Sequence, residues 1–412
     1  MNRWSFALRP AQVVALGLIA AASAARADEN MVSLSGFGTL GVVHHNADGV
    51  EFRRDISEPS GAKAGDWSAA QDSMLGVQMT VRPSNRVEAT VQLVSRHAID
   101  VDFRPQLTWA YVKVKPSADM ALRAGRLGID MYLQGDSAEI GYANLLVRQP
   151  LIIYPRTFDG VDGEWTHSLA GGTLRLKGQF GNAVGKLSSG GDATDTSGSP
   201  GRFLLAEYAR GSWTGRIAKG RLTLKNELST RDALALFDAL ALAPNGAAVK
   251  NAISIKNRRI DYVSAALAYD AGPLQASAVA GSISSPNWST LHAYSVQAGY
   301  RLGKLTPYAA YVLQRSGRDT VATGIPWGLS PVTDALNQGA ALSQAAIKVN
   351  QSDVAFGVRY DVSRNTALKF QIDRIRYQDP LSIVDPSLTT VPVKQRGFKR
   401  LNLLSVTLDF VF

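Results

Sequence analysis

From Leu401 to Phe412 the chain reads LNLLSVTLDFVF. Leu404, Val406, Leu408, Phe410 and Phe412 share one face, and Ser405, Thr407 and Asp409 share the other. A period of two means a strand with one greasy and one wet side. The same alternation sets Leu368, Phe370 and Ile372 against Lys369, Gln371 and Asp373. It also sets Thr108, Ala110, Val112 and Val114 against Trp109, Tyr111, Lys113 and Lys115. About sixteen segments have strand character. They are 34–45, 72–83, 87–98, 105–116, 120–129, 158–168, 171–182, 202–214, 221–232, 261–271, 273–284, 293–303, 305–316, 351–362, 366–377 and 400–412. Each is near the roughly 9–11 residues with which a tilted strand crosses a bilayer. An apolar strand left as a free edge aggregates, and a barrel closing on its own last strand has no such edge. The pattern predicts an all-β chain folded as a transmembrane antiparallel β-barrel.

The connections sharpen this. Pro83-Ser84-Asn85-Arg86, Pro116-Ser117-Ala118-Asp119, Ala170-Gly171, Ala218-Lys219-Gly220, Gly272-Pro273, Gly303-Lys304 and Ser363-Arg364-Asn365 read as tight turns. They alternate with longer connections, several very long: 46–71, 130–157, 183–201, 233–260, 317–350 and 378–399. Short periplasmic turns and long extracellular loops are the layout of an outer-membrane barrel. An even strand count places both termini in the periplasm. On a lipid-facing wall each midplane charge costs about 2–4 kcal/mol. Lys113, Lys115, Lys369 and Asp373 are therefore expected to face a watery lumen. Such a barrel encloses more space than its side chains fill, which makes it a channel candidate.

Residues 1–27 read as a cleaved signal peptide: Arg3 and Arg9, an apolar Ala11–Ala22 run, then Ala25-Arg26-Ala27. The barrel domain is then 28–412. Losing Arg3, Arg9 and Arg26 lowers the formal charge from +10 to +7. A basic excess favours anions in a pore, contact with lipopolysaccharide phosphates, or is diffuse surface charge. Charged residues are 19% of the chain, below the roughly 25% of soluble domains. The absence of cysteine excludes disulfides and thiolate metal sites. His44, His45, His97, His167 and His292 show no metal-ligand spacing, and neither a nucleophile elbow nor a P-loop is present. No catalytic residue, cofactor, metal or nucleic-acid partner is expected.

Five stretches carry a resemblance: SGFGTLGVVHH (35–45), LTWAYVKVKP (107–116), ALRAGRL (121–127), FDGVDGEW (158–165) and VTLDFVF (406–412). In this order the chain resembles the sixteen-stranded, trimeric porin superfamily of Gram-negative outer membranes. The resemblance implies a homotrimer among outer-membrane lipid and lipopolysaccharide. It implies an assembly signal at Phe410 and Phe412, read by the barrel-assembly machinery. It implies a third extracellular loop folded into the lumen, whose acidic groups face arginines of the wall. That loop is 128–157, with Asp130, Asp136 and Glu139; the basic wall cluster would be Arg96, Arg123 and Arg126. An ion pair between Arg123 and Asp130 that pins the loop is the plainer reading.

Two departures stand out. General porins carry Pro-Glu-Phe-Gly-Gly at the loop tip, whereas this chain has AEIGYANLLVRQP (138–150), with Arg148 and Arg156 in the same loop. The apolar run Leu234, Leu236, Phe237, Leu240 and Leu242 has helical spacing and reads first as an external cap, then as a gate or trimer contact. A further helix is expected over 332–347. Asp192 and Asp195 sit in a Gly/Ser-rich loop, read as solvated rather than calcium-binding. The reading is a water-filled channel for passive diffusion of small hydrophilic solutes and ions. The alternative is a substrate-specific channel, selective for an anion or organic acid. An enzyme or adhesin on a barrel scaffold is a third class. For a barrel lipase the chain offers only His167 beside Ser168, neighbours that face apart.

Overall fold

The computed structural model describes residues 31–48, 51–55, 57–99, 101–149, 156–189, 192–286, 288–317, 320–345, 348–377, 388–389 and 400–412. The expected signal peptide lies outside the described residues.

Sixteen antiparallel strands close into one barrel. In chain order they are β1 Val32–His45, β2 Met74–Ser84, β3 Val87–Arg96, β4 Gln106–Val114, β5 Met120–Gly128 and β6 Thr157–Leu169. Then come β7 Gly172–Val184, β8 Pro200–Arg210, β9 Trp213–Thr223, β10 Arg259–Ala271 and β11 Leu274–Ser285. The last five are β12 Trp288–Tyr300, β13 Leu305–Ser316, β14 Asn350–Ser363, β15 Thr366–Tyr377 and β16 Arg400–Val411. Each pairs with its neighbour in sequence, and β16 pairs with β1 from Phe37↔Val411 to His45↔Leu403. Closure satisfies the backbone groups that an open edge would leave bare in lipid.

The faces divide as alternation requires. Ser405, Thr407 and Asp409 point inward and are almost completely buried, while Phe180, Ile217, Leu204 and Phe356 stand exposed outside. The seam has its own packing. The rings of Phe412 and Phe410 lie on the outer face over Gly36 and Gly38, where an added Cβ would meet them at 2.3 and 2.4 Å. Backbone bonds between Gly36 and Phe412 (2.8 and 3.0 Å) finish the ladder.

One predicted turn is displaced. The hairpin between β8 and β9 turns at Gly211-Ser212, not at Ala218-Lys219-Gly220. Gly211 has φ +56°, which a tight hairpin needs. Gly220 sits within β9, and the Phe203 ring occupies the space its Cβ would take. The predicted strand 221–232 therefore stops at Thr223. Thr230 instead caps a helix, accepting a bond from the Ala233 amide (3.2 Å). At Thr108 a bulge interrupts β4, so its hydroxyl reaches the inward Gln92 side chain (2.8 Å) rather than facing out with Ala110.

Helices α1 Arg231–Leu240, α2 Gly246–Ile253 and α3 Pro331–Ala345 pack on the long-loop rim. Phe237, Leu240, Val249, Ile253 and Ala340 form their shared core, so the apolar run is buried among these helices. The Asp192 and Asp195 stretch folds as half of a small hairpin with Lys186–Ser189. Among the described residues no group of three or more His, Asp or Glu is placed to hold a metal.

Candidate functional site

The third connection on the long-loop rim, 129–156, does not stay outside. It enters the lumen and touches both sides of the barrel. Its root is Asp130, 2% exposed. The Asp130 carboxylate accepts bonds from Arg175 (3.0 Å), Lys177 (3.0 Å) and Arg216 (2.8 Å) on β7 and β9. Its amide donates to Gln179 Oε1 (3.0 Å). Burial pushes this carboxyl up, but the three cations outweigh burial and hold it below the usual range. A ladder of pairs continues around it: Arg123 with Asp162, Arg175 with Glu164, and Arg216 with Glu207.

The far end of the loop meets the seam. Lys369 Nζ donates to Gly141 O (2.7 Å) and pairs with Asp409 (3.0 Å), which also accepts from Thr39 Oγ1 (2.6 Å). Only glycine fits at 141, because a Cβ would lie 2.1 Å from Asp409 Oδ1 and 2.5 Å from Thr39 Oγ1. Arg359 donates to Tyr142 O (2.6 Å), and Val147 N donates to Gln371 Oε1 (2.9 Å). Arg148 bridges Asp72 (2.5 Å), Asp373 (3.4 Å) and Ser405 Oγ (2.8 Å), with Phe52 under its guanidinium.

Between the two ends sits a quartet. Asp55 takes Arg156 (2.6 Å) and Arg96 (3.0 Å); Glu139 takes Arg156 (2.8 Å) and, more loosely, Arg96 (3.7 Å). Burial raises both carboxyls, and the arginines more than reverse it.

The sequence-chosen residues thus fall into separate places. Glu139 and Arg96 come together; Asp130 and Arg123 do not, since Arg123 pairs with Asp162. Arg126 stands three positions from Arg123 on one strand and so falls on the opposite face, tied to Asp159 (2.7 Å). Asp136 lies in a short helical turn, 135–137. Lys113 and Lys115 line a recess at the short-turn rim with Arg82, Arg86 and Glu88. Lys369 and Asp373 face inward as expected, but the loop covers them. The reading missed Arg175, Lys177, Arg216, Arg359, Asp162 and Asp55. Alternation in 171–182 carries a signal for two of them, since Arg175 and Lys177 share a face with Gln179.

A closed barrel with a polar interior, an apolar outer wall and a loop across its lumen is built as a transmembrane channel. A family model described as Gram-negative porin matches residues 13–380, and the chain belongs to that family. The outer-membrane channel DcaP of Acinetobacter baumannii has the same fold (13% identity, 93% of this chain and 99% of that one covered, TM-score 0.54). So does Salmonella typhi OmpF, solved with daunomycin (11%, 92% and 97%, 0.53). An anion-selective porin from Comamonas acidovorans also matches (13%, 92% and 99%, 0.51). At these identities the likeness concerns the fold. No curated protein matches the chain. Family and fold are those of an outer-membrane channel rather than an enzyme.

Proposed function

We propose that this channel passes small hydrophilic solutes and ions by diffusion, with only a weak ion preference. The observation that carries the reading is the mutual neutralisation of inward charge. Arg123 meets Asp162, Arg216 meets Glu207, Lys369 meets Asp409 and Arg148 meets Asp72. Paired charges orient dipolar solutes locally yet leave little net field for selecting one sign of ion. The basic excess sits elsewhere. Arg374, Arg376 and Arg400 are exposed on the outer wall, above Ile372 and toward the long-loop rim. Lipopolysaccharide phosphates are their fitting partners.

Family membership supports the remaining parts of the reading. The working unit is a homotrimer. Residues 1–27 direct export, and Phe410 and Phe412 present the assembly signal to the barrel-assembly machinery. The eyelet lies beside Glu139 and Arg96, not at Asp130, which is fully engaged by the wall.

Liposome swelling tests the function. Proteoliposomes should swell in arabinose, more slowly in glucose and slowest in sucrose, with no saturation as sugar concentration rises. Absence of swelling in all three contradicts a diffusion channel.

A further inference from the structure

We infer that the outer wall holds a seat for one phosphate-bearing lipid of the outer leaflet, its head on β8–β10 and an acyl chain in a groove beneath. The head patch is read from register. Arg202 on β8 lies directly opposite Arg221 on β9, and Leu204 lies opposite Lys219. Opposed residues share a face, and the exposed Leu204 and Ile217 mark this one as the outer face. Like charges directly opposite one another destabilise a sheet. The acid that answers them is Asp261 on β10, already shared by Arg221 (2.5 Å) and Arg259 (3.1 Å). Arg202 and Lys219 are exposed and have no ion pair among the described residues. Four cations against one carboxylate call for an anion from outside the chain.

Lys219 is the most telling of the four. Charge on a lipid-facing wall is costly, so such a residue requires a partner. It stands two positions from Ile217 toward the long-loop rim, roughly 7 Å along the strand. Around Ile217 begins a shallow groove of about 610 Å³. Ile217, Ala265, Ala280 and Tyr294 follow one another across β9–β12 in one row of the ladder, with Ala278 and Val296 below. Small side chains between larger ones leave room for a hydrocarbon chain. Phosphate oxygens match the forked donors of arginine. Charge lies toward the rim and the apolar groove toward the midplane, which is the order of head and tail in an outer-leaflet lipid. The seat adds to the lipopolysaccharide contact proposed above for Arg374, Arg376 and Arg400, and it does not depend on the diffusion reading.

The test uses the chain from Asp28 onward, refolded in detergent, with lipid A as probe and its dephosphorylated form as counterpart. Native mass spectrometry counts the lipids retained by each barrel, and heat-modifiable migration shows that each variant folds. Arg202→Gln with Lys219→Gln should lose one equivalent of lipid A. Ala278→Phe with Ala280→Phe, which fills the groove, should also lose one. The four changes together should still lose one, because head and tail belong to the same molecule. Inorganic phosphate alone should not be retained. Wild-type retention in either double variant, a loss of two equivalents in the combined one, or equal retention of the dephosphorylated lipid overturns the seat. A loss seen only with Arg374→Gln and Arg376→Gln overturns it too, and leaves the contact proposed above standing. Loss of the oligomer by the Ala278, Ala280 variant would make the groove a contact between copies and likewise overturn the seat.

Discussion

At its root the loop brings one carboxylate, Asp130, to three wall cations; at its far end the wall brings Lys369 and Arg359 to loop carbonyls. The root is concentrated and the far end is distributed. One substitution at the root leaves several charges in a dry place without their partner. Losing Lys369 or Arg359 at the far end removes a strand from a rope; Arg148, set against the buried Asp72 and Asp373, is the exception there. A buried charge deprived of its counter-ion is worth far more, as a loss, than the pair was worth as a gain.

Asp130→Asn should therefore be the most damaging single change. We expect a loss of about 3 kcal/mol, softened because Arg175 and Arg216 keep Glu164 and Glu207. The unfolding midpoint of the heat-modifiable barrel measures it, and single-channel currents should become noisier. An unchanged midpoint would place the anchor elsewhere. Gly141→Ala comes next, at about 1–3 kcal/mol, because the new methyl enters the Asp409 and Thr39 contact. Its mark should be a larger open current with the barrel still folded.

Arg123→Glu should also cost stability, because the buried Asp162 loses its partner, and its diagnostic effect is on permeation. The variant puts an acid beside Asp162, and cation over anion permeability should rise about twofold. A reversal potential that does not move would remove Arg123 from the ion path. Acid should have the least effect near neutrality. Asp130 and Glu139 are held below ordinary carboxyl values. Their stabilisation is complete above about pH 4–5, where the unfolded chain's carboxyls ionise, and fades only as pH falls through the lower folded values. Conductance should stay flat from neutrality down to about pH 5. A change centred near pH 6 would assign the transition to groups other than Asp130 and Glu139.

The two ends also differ in how far the sequence disclosed them. The inward loop was legible only through the family resemblance; strands and closure are local or periodic properties. The alternation in 400–412 and the tight turns disclose them directly. The displaced hairpin failed because Gly220 imitates a turn glycine, while its real task is to leave room for Phe203. The parity of Arg126 was there to be read, since residues three apart on a strand face apart. The far anchor was not. Lys369 reaches Gly141 across 228 positions, and no local pattern specifies which backbone carbonyl a lysine will find. The root was half visible: Asp130 stood out as acidic, but its partners depend on the registers of β7 and β9.

The central claim is that the loop spans the lumen and is fixed at the seam. The chain contains no cysteine, so a designed pair has no competitor. The Tyr142→Cys, Arg364→Cys variant uses an exposed contact, where the Tyr142 hydroxyl donates to Arg364 O (2.6 Å) on the turn beside the seam. The measurement is cross-linking with a short bifunctional thiol reagent, read by peptide mass, with open current recorded before and after linking. The account predicts a nearly complete 142–364 link and an unchanged current after linking. Unlinked thiols, or a current that falls sharply when the link forms, would mean that the loop does not rest against the wall beside the seam.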